Sequence, residues 1–135
     1  MRIFLAALLV MIFCSPSFAT GPGTTCEIND RHVRMKLFSD TSADTANRLG
    51  VDVGELQILH SSAPRKFKFN ESAISHYWVD RAEMRFRVFF EEDEVALVIM
   101  TRRERPAIFT GRYELWVKYE TAATGDVQCN DGSEG

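Results

Sequence analysis

Long apolar runs are nearly absent from these 135 residues. The longest, Ile3 to Phe13, falls well short of the roughly 20 apolar residues a membrane helix needs. Cysteine is scarce: there are three, with no Cys-x-x-Cys pair, which argues against a thioredoxin-like redox centre or a zinc ribbon. Histidine is equally scarce. His32, His60 and His76 stand too far apart to form a local metal motif. The eight glycines make neither a Walker-type nor a dinucleotide-type loop. No Gly-x-Ser-x-Gly elbow surrounds Ser61 and Ser62. Their neighbour His60 would point to the opposite face of a strand, so it makes no catalytic pair with Ser61. No segment carries an apolar stripe at helical spacing over three turns. A basic excess is also missing, with 16 Lys and Arg against 19 Asp and Glu, so nucleic acid is not an expected partner.

What is present begins with a leader. Arg2, the apolar Ile3–Phe13 and the small residues Ser17 and Ala19 form the charged, apolar and cleavable parts of a secretory signal. The expectation is a signal peptide over 1–19, removed before Thr20, and a single β-rich secreted domain over 20–135. No membrane insertion is expected after cleavage. Losing 19 of 135 residues leaves 116, one domain's worth. Losing Arg2 leaves 15 basic against 19 acidic residues, a balance of −4. Cys14 departs with the leader. Cys26 and Cys129 remain, and an oxidising compartment favours their pairing, which joins the N- and C-terminal segments. The short leader leans toward a bacterial periplasm.

Period-2 alternation runs through the rest. It marks Val33–Leu37, Leu56–Ile58, Phe67–Phe69, Met84–Phe90 and Tyr113–Tyr119 as half-buried strands. Asp126–Cys129 reads as a short last strand, with a disordered tail after about residue 130. Helical turns are expected at most near Thr41–Asn47 and Ser72–Tyr77. The fold class is therefore all-β, a small antiparallel sandwich or barrel. Val95–Met100 is continuously apolar, and the acidic Glu91–Glu94 before it reads as a hairpin loop. Closing that loop pairs Phe90 with Val95, Val88 with Leu97 and Phe86 with Ile99 on a core face. The other face receives Phe89 opposite Ala96, Arg87 opposite Val98 and Arg85 opposite Met100. A one-residue slip would destroy the match.

Polar connections are expected at Ser39–Gly50 and Arg102–Pro106. His32 is expected on the solvated face of the first strand. Asn70-Glu71-Ser72 is a glycosylation sequon, relevant only in a eukaryotic host. Glu91–Glu94 lacks the ligand spacing of a calcium loop and reads as a solvated tip. No catalytic, cofactor or metal residue emerges. The candidate interaction face is Arg85, Arg87, Phe89, Val98, Met100 and Trp116, apolar and arginine side chains where a solvated face should be polar. The competing explanation is that a loop or the N-terminal segment covers the strip, or that arginine stems lie over it.

In size, leader and strand content the chain resembles small periplasmic β-proteins, including barrel-type lysozyme inhibitors. Their Ser-Gly-x-x-Tyr element before a Phe-Trp strand is absent here, so no functional residue carries over. The functional expectation is a non-enzymatic exported binding module with an unknown protein or small-ligand partner. The alternatives are an inhibitor of an extracellular hydrolase, such as a lysozyme or protease, acting through Ser39–Gly50, and a small ligand- or metal-binding protein.

Overall fold

Alternating burial is the rule that builds this molecule. In the computed structural model, which describes residues 23–39, 51–59 and 65–132, nine strands form one antiparallel sheet. They are β1 (Thr24–Asn29), β2 (Val33–Ser39), β3 (Val53–Ile58), β4 (Arg65–Lys68), β5 (Ile74–Val79), β6 (Glu83–Phe90), β7 (Val95–Arg105), β8 (Ile108–Val117) and β9 (Glu120–Asp131). Their order across the sheet is β4-β3-β2-β1-β9-β8-β7-β6-β5. The sheet curls into a half-barrel of one domain, a single sheet rather than the two of a sandwich. The leader, most of Ser39–Gly50, His60 to Ser62 and the last three residues lie outside the described residues.

The concave face holds the core. Met35, Leu37, Leu56, Phe86, Leu97, Ile99, Tyr113 and Leu115 are among its buried side chains. The β6–β7 register is the one read from the sequence: Phe90↔Val95, Val88↔Leu97, Phe86↔Ile99, Phe89↔Ala96, Arg87↔Val98 and Arg85↔Met100. Glu91–Glu94 forms the turn, with the Glu94 amide donating to the Glu91 carbonyl at 3.2 Å. Asp93 there pairs with Arg65 at 2.6 Å.

Two seams join the half of β1–β4 to the half of β5–β9. At the first, β1 pairs with β9 over four residue positions, Thr24↔Asp131 to Glu27↔Gln128. The Cys26–Cys129 disulfide sits within this ladder, both cysteines buried. Asp30, in the β1–β2 turn, adds a tether: its Oδ2 accepts the Tyr113 hydroxyl from β8 at 2.5 Å. Gly125 faces Tyr113 in β9, and a Cβ there would lie 2.5 Å from Asp30 Oδ2 and 2.9 Å from the Tyr113 oxygen. Only glycine leaves this tether room. At the second seam no ladder joins β4 to β5 among the described residues. Phe67 of β4 instead stacks on Phe90 of β6, centroids 4.5 Å apart, and Phe69 meets the same ring edge-on.

Several expectations are corrected. The turn expected over Ser72–Tyr77 is a 3-10 turn at Glu71–Ala73, capped by the Asn70 side chain, and the chain then enters β5 at Ile74. Tyr77, Trp78 and Val79 favour a strand. A bulge with His76 at φ 53° breaks their alternation and hides the signal. Tyr119 is not in a strand. Lys118 and Tyr119 both adopt positive φ in the two-residue β8–β9 hairpin, a turn usually signalled by Asn or Gly. Arg102–Arg105 continues β7, and only Pro106-Ala107 turns, with Ala107 at φ 68°. There the ladder outruns the core, so hydropathy carries no information. The last strand is twelve residues long, reaching Asp131. His32 lies in the β1–β2 turn rather than on a strand face, its amide donating to Asp30 Oδ1 at 2.8 Å. β1 went unread because its inward residues include Thr24 and Cys26, which are weakly apolar.

Candidate functional site

The convex face of the sheet carries both candidate sites, because the concave face is filled. Strand alternation puts all six residues of the expected interaction face there, opposite the buried Met84, Phe86, Val88, Val95, Leu97, Ile99 and Leu115. Registers arrange them in rows. Phe89, Ala96 and Trp116 make one row; Arg87, Val98 and Glu114 the next; Trp78, Arg85, Met100 and Arg112 a third. Phe89, Val98, Met100 and Trp116 are half-buried rather than open. The guanidinium of Arg87 lies 5.0 Å from the Phe89 ring centroid, which accounts for part of that cover.

Four of the six, Arg85, Arg87, Val98 and Met100, line one groove of about 590 Å³ with His76, Trp78, Asp80 and Glu83. Phe89 and Trp116 lie outside it. Trp78 is the largest apolar contribution, 59 % exposed, and sequence reasoning missed it because β5 itself was missed. Its indole Nε1 donates to Asp80 Oδ2 at 3.4 Å. The Asp80 Oδ1 accepts the amides of Ala82 and Glu83 at 2.7 Å each, and these donors hold its carboxyl below the usual carboxylate range.

Four arginines of this face are engaged. Arg85 meets Glu83 at 3.0 Å, Arg102 meets the same carboxylate at 3.5 Å, and Arg112 meets Asp126 at 3.3 Å. Arg87 Nε donates to Ser75 Oγ at 3.0 Å.

The convex face of β1–β4 differs. Its outward positions form two cross-strand rows, Glu27-Lys36-Glu55-Lys68 and Asn29-Arg34-Gln57-Lys66. All eight line a groove of about 490 Å³. Among the described residues, Arg34, Lys36, Lys66 and Lys68 enter no ion pair within 4.0 Å. Phe38 and Val53 continue the face toward one end, opposite each other and 44 % and 47 % exposed. The Arg34/Lys36 and Lys66/Lys68 spacings carried the signal for this site, but only the β2–β3–β4 register brings them together.

Asp30 and Tyr113 have the other displaced titrations. Burial opposes the Asp30 charge, yet the hydrogen bonds from Tyr113, Val33 and His32 outweigh it and lower its pKa. Burial first, then the bond to Asp30, pushes the Tyr113 phenol up. Tyr113 is buried, and its bond ties β8 to the β1–β2 turn. Among the described residues no three His, Cys, Asp or Glu side chains gather as a metal site requires, and no helix is long and apolar enough to cross a membrane. Compared with known protein families, characterised proteins and solved structures, the chain matches none.

Proposed function

We propose that this is a non-enzymatic, exported binding module that holds a protein partner on the convex face of β5–β7. The observation that carries the reading is the groove where Trp78, Val98 and Met100 meet Arg85 and Arg87 on a sheet face with no covering layer among the described residues. Tryptophan and arginine are enriched where binding energy concentrates, and a polar rim around an apolar centre is the usual anatomy of such a patch. The groove suits an apolar side chain of the partner, seated against Met100 and Trp78, with a neighbouring carboxylate reaching Arg87. Export is supported by the leader pattern and by a disulfide of the kind oxidising compartments sustain.

The test is cross-linking capture from the exported fraction with the purified protein, repeated with Trp78→Ala plus Met100→Ser. The reading expects one partner captured by the parent protein and lost from the variant, with unchanged melting. A partner captured equally by both, or none captured by either, overturns it.

A further inference from the structure

We propose that the convex groove of β1–β4 is a second binding site, for an acidic polysaccharide. The whole chain has a net charge of −3, yet this groove collects Arg34, Lys36, Lys66 and Lys68 against only Glu27 and Glu55. A local reversal of sign on an acidic protein attracts anions to that place and repels them elsewhere. Arg85, Arg87, Arg102 and Arg112 on the convex face of the opposite half are tied to neighbouring acids or hydroxyls, whereas these four have no ion-pair partner among the described residues. Against the cross-strand neighbours Glu27 and Glu55 the groove keeps an excess of positive charge.

Spacing then selects the kind of anion. Arg34 and Lys36 are two residues apart on β2, about 7 Å, and Lys66 and Lys68 repeat that step two strands away, about 10 Å across. Four cations anchored at the corners of such a rectangle of backbone positions cover a patch wider than one phosphate. They suit successive anionic groups along a chain. Gln57 stands between Arg34 and Lys66, Asn29 lies beside Arg34 on β1, and Glu55 stands between Lys36 and Lys68. The two amides can both donate to and accept from hydroxyl groups. Arg34 can hold a carboxylate through two parallel N–H donors. The exposed Phe38 ring at one end offers a flat apolar surface to a sugar face. Nucleic acid fits less well, because no aromatic platform lies within the cation rectangle: Phe67 is turned inward onto Phe90.

The probe is polygalacturonate, with uncharged dextran as its control, measured against the purified protein. Binding to polygalacturonate alone is expected, weakening as salt is raised to about 0.15 M. Replacing all four cations with glutamine should reduce binding about tenfold or more. Arg102→Gln plus Arg112→Gln, on the opposite half, should change it less than about twofold. Melting curves of both variants should match the parent, since the substituted side chains are exposed. Equal loss in the two variants, no binding, or tighter binding to single-stranded oligothymidylate or to phosphatidylglycerol vesicles overturns the proposal. Because this groove shares no residue with that of β5–β7, its failure leaves the protein-partner reading standing, and the reverse holds.

Discussion

The two convex faces share one backbone plan and differ in what fills the outward positions. Over β1–β4 these are mostly charged or amide side chains, exposed, with their four cations unpaired among the described residues. Over β5–β8 they include Trp78, Phe89, Val98, Met100 and Trp116, and the arginines among them are spent on internal partners. On the two readings proposed above, the first face would act at a distance through its field, which salt screens. The second would act at contact, through area removed from water.

The largest effect should come from the core that both faces share. Leu97→Asp places a charge at a fully buried position in the middle of β7. An unpaired buried charge costs several kcal/mol, enough to unfold a domain of this size. Circular dichroism should show both faces lost together. A folded variant would refute the core assignment.

Removing the disulfide tests whether the halves are mechanically distinct. Cys26→Ser with Cys129→Ser should cost about 2–5 kcal/mol. The four-position β1–β9 ladder is short beside the ten positions of β7–β8. Hydrogen exchange should therefore accelerate more in β1–β3 than in β7–β8. Uniform acceleration would mean that the two halves open as one.

A smaller loss is expected from the other tether at the same seam. Tyr113→Phe deletes the donor to Asp30 and should cost about 1.5–3 kcal/mol, the range for a bond to a charged group. The pH dependence has a defined sign. Asp30 has a lowered folded-state pKa, so its contribution is complete above the ordinary value of 3.8 and is lost as pH falls below it. Tyr113 has a raised one, so its contribution is complete below the ordinary value of 10.0 and declines above it. Urea midpoints against pH should show both shoulders in the parent. In Tyr113→Phe the alkaline one should vanish and the acidic one shrink.

The smallest effects should separate the faces themselves. Lys36→Gln with Lys68→Gln should leave stability within about 0.5 kcal/mol, as exposed substitutions usually do. Phe89→Ser with Met100→Ser should also leave melting nearly unchanged if the strip serves a partner. A marked fall in melting temperature with partner capture intact would instead make the strip a hydrophobic layer of the fold.

Legibility followed the strength of alternation. The β6–β7 hairpin could be read to the residue because six apolar side chains had only one register that kept them together. β5 could not, since the bulge at His76 interrupts its period. Trp78, and with it half of the β5–β7 groove, went unread for that reason. The β8–β9 turn was hidden because Lys118 and Tyr119 occupy positive φ without the glycine or asparagine that usually announces it.

By itself the sequence determined the all-β class, the Cys26–Cys129 pairing, and which residues of β6 and β7 face inward. The strand assignments rest on a local rule, a side-chain period of two, and the pairing on the expectation of an exported chain. Only the tertiary structure decided that the strands make one curled sheet, that Asp30 reaches Tyr113 across 83 positions, and that Arg34, Lys36, Lys66 and Lys68 share a groove. Those facts depend on strand order and on which strands meet at the seams, and no local pattern encodes either.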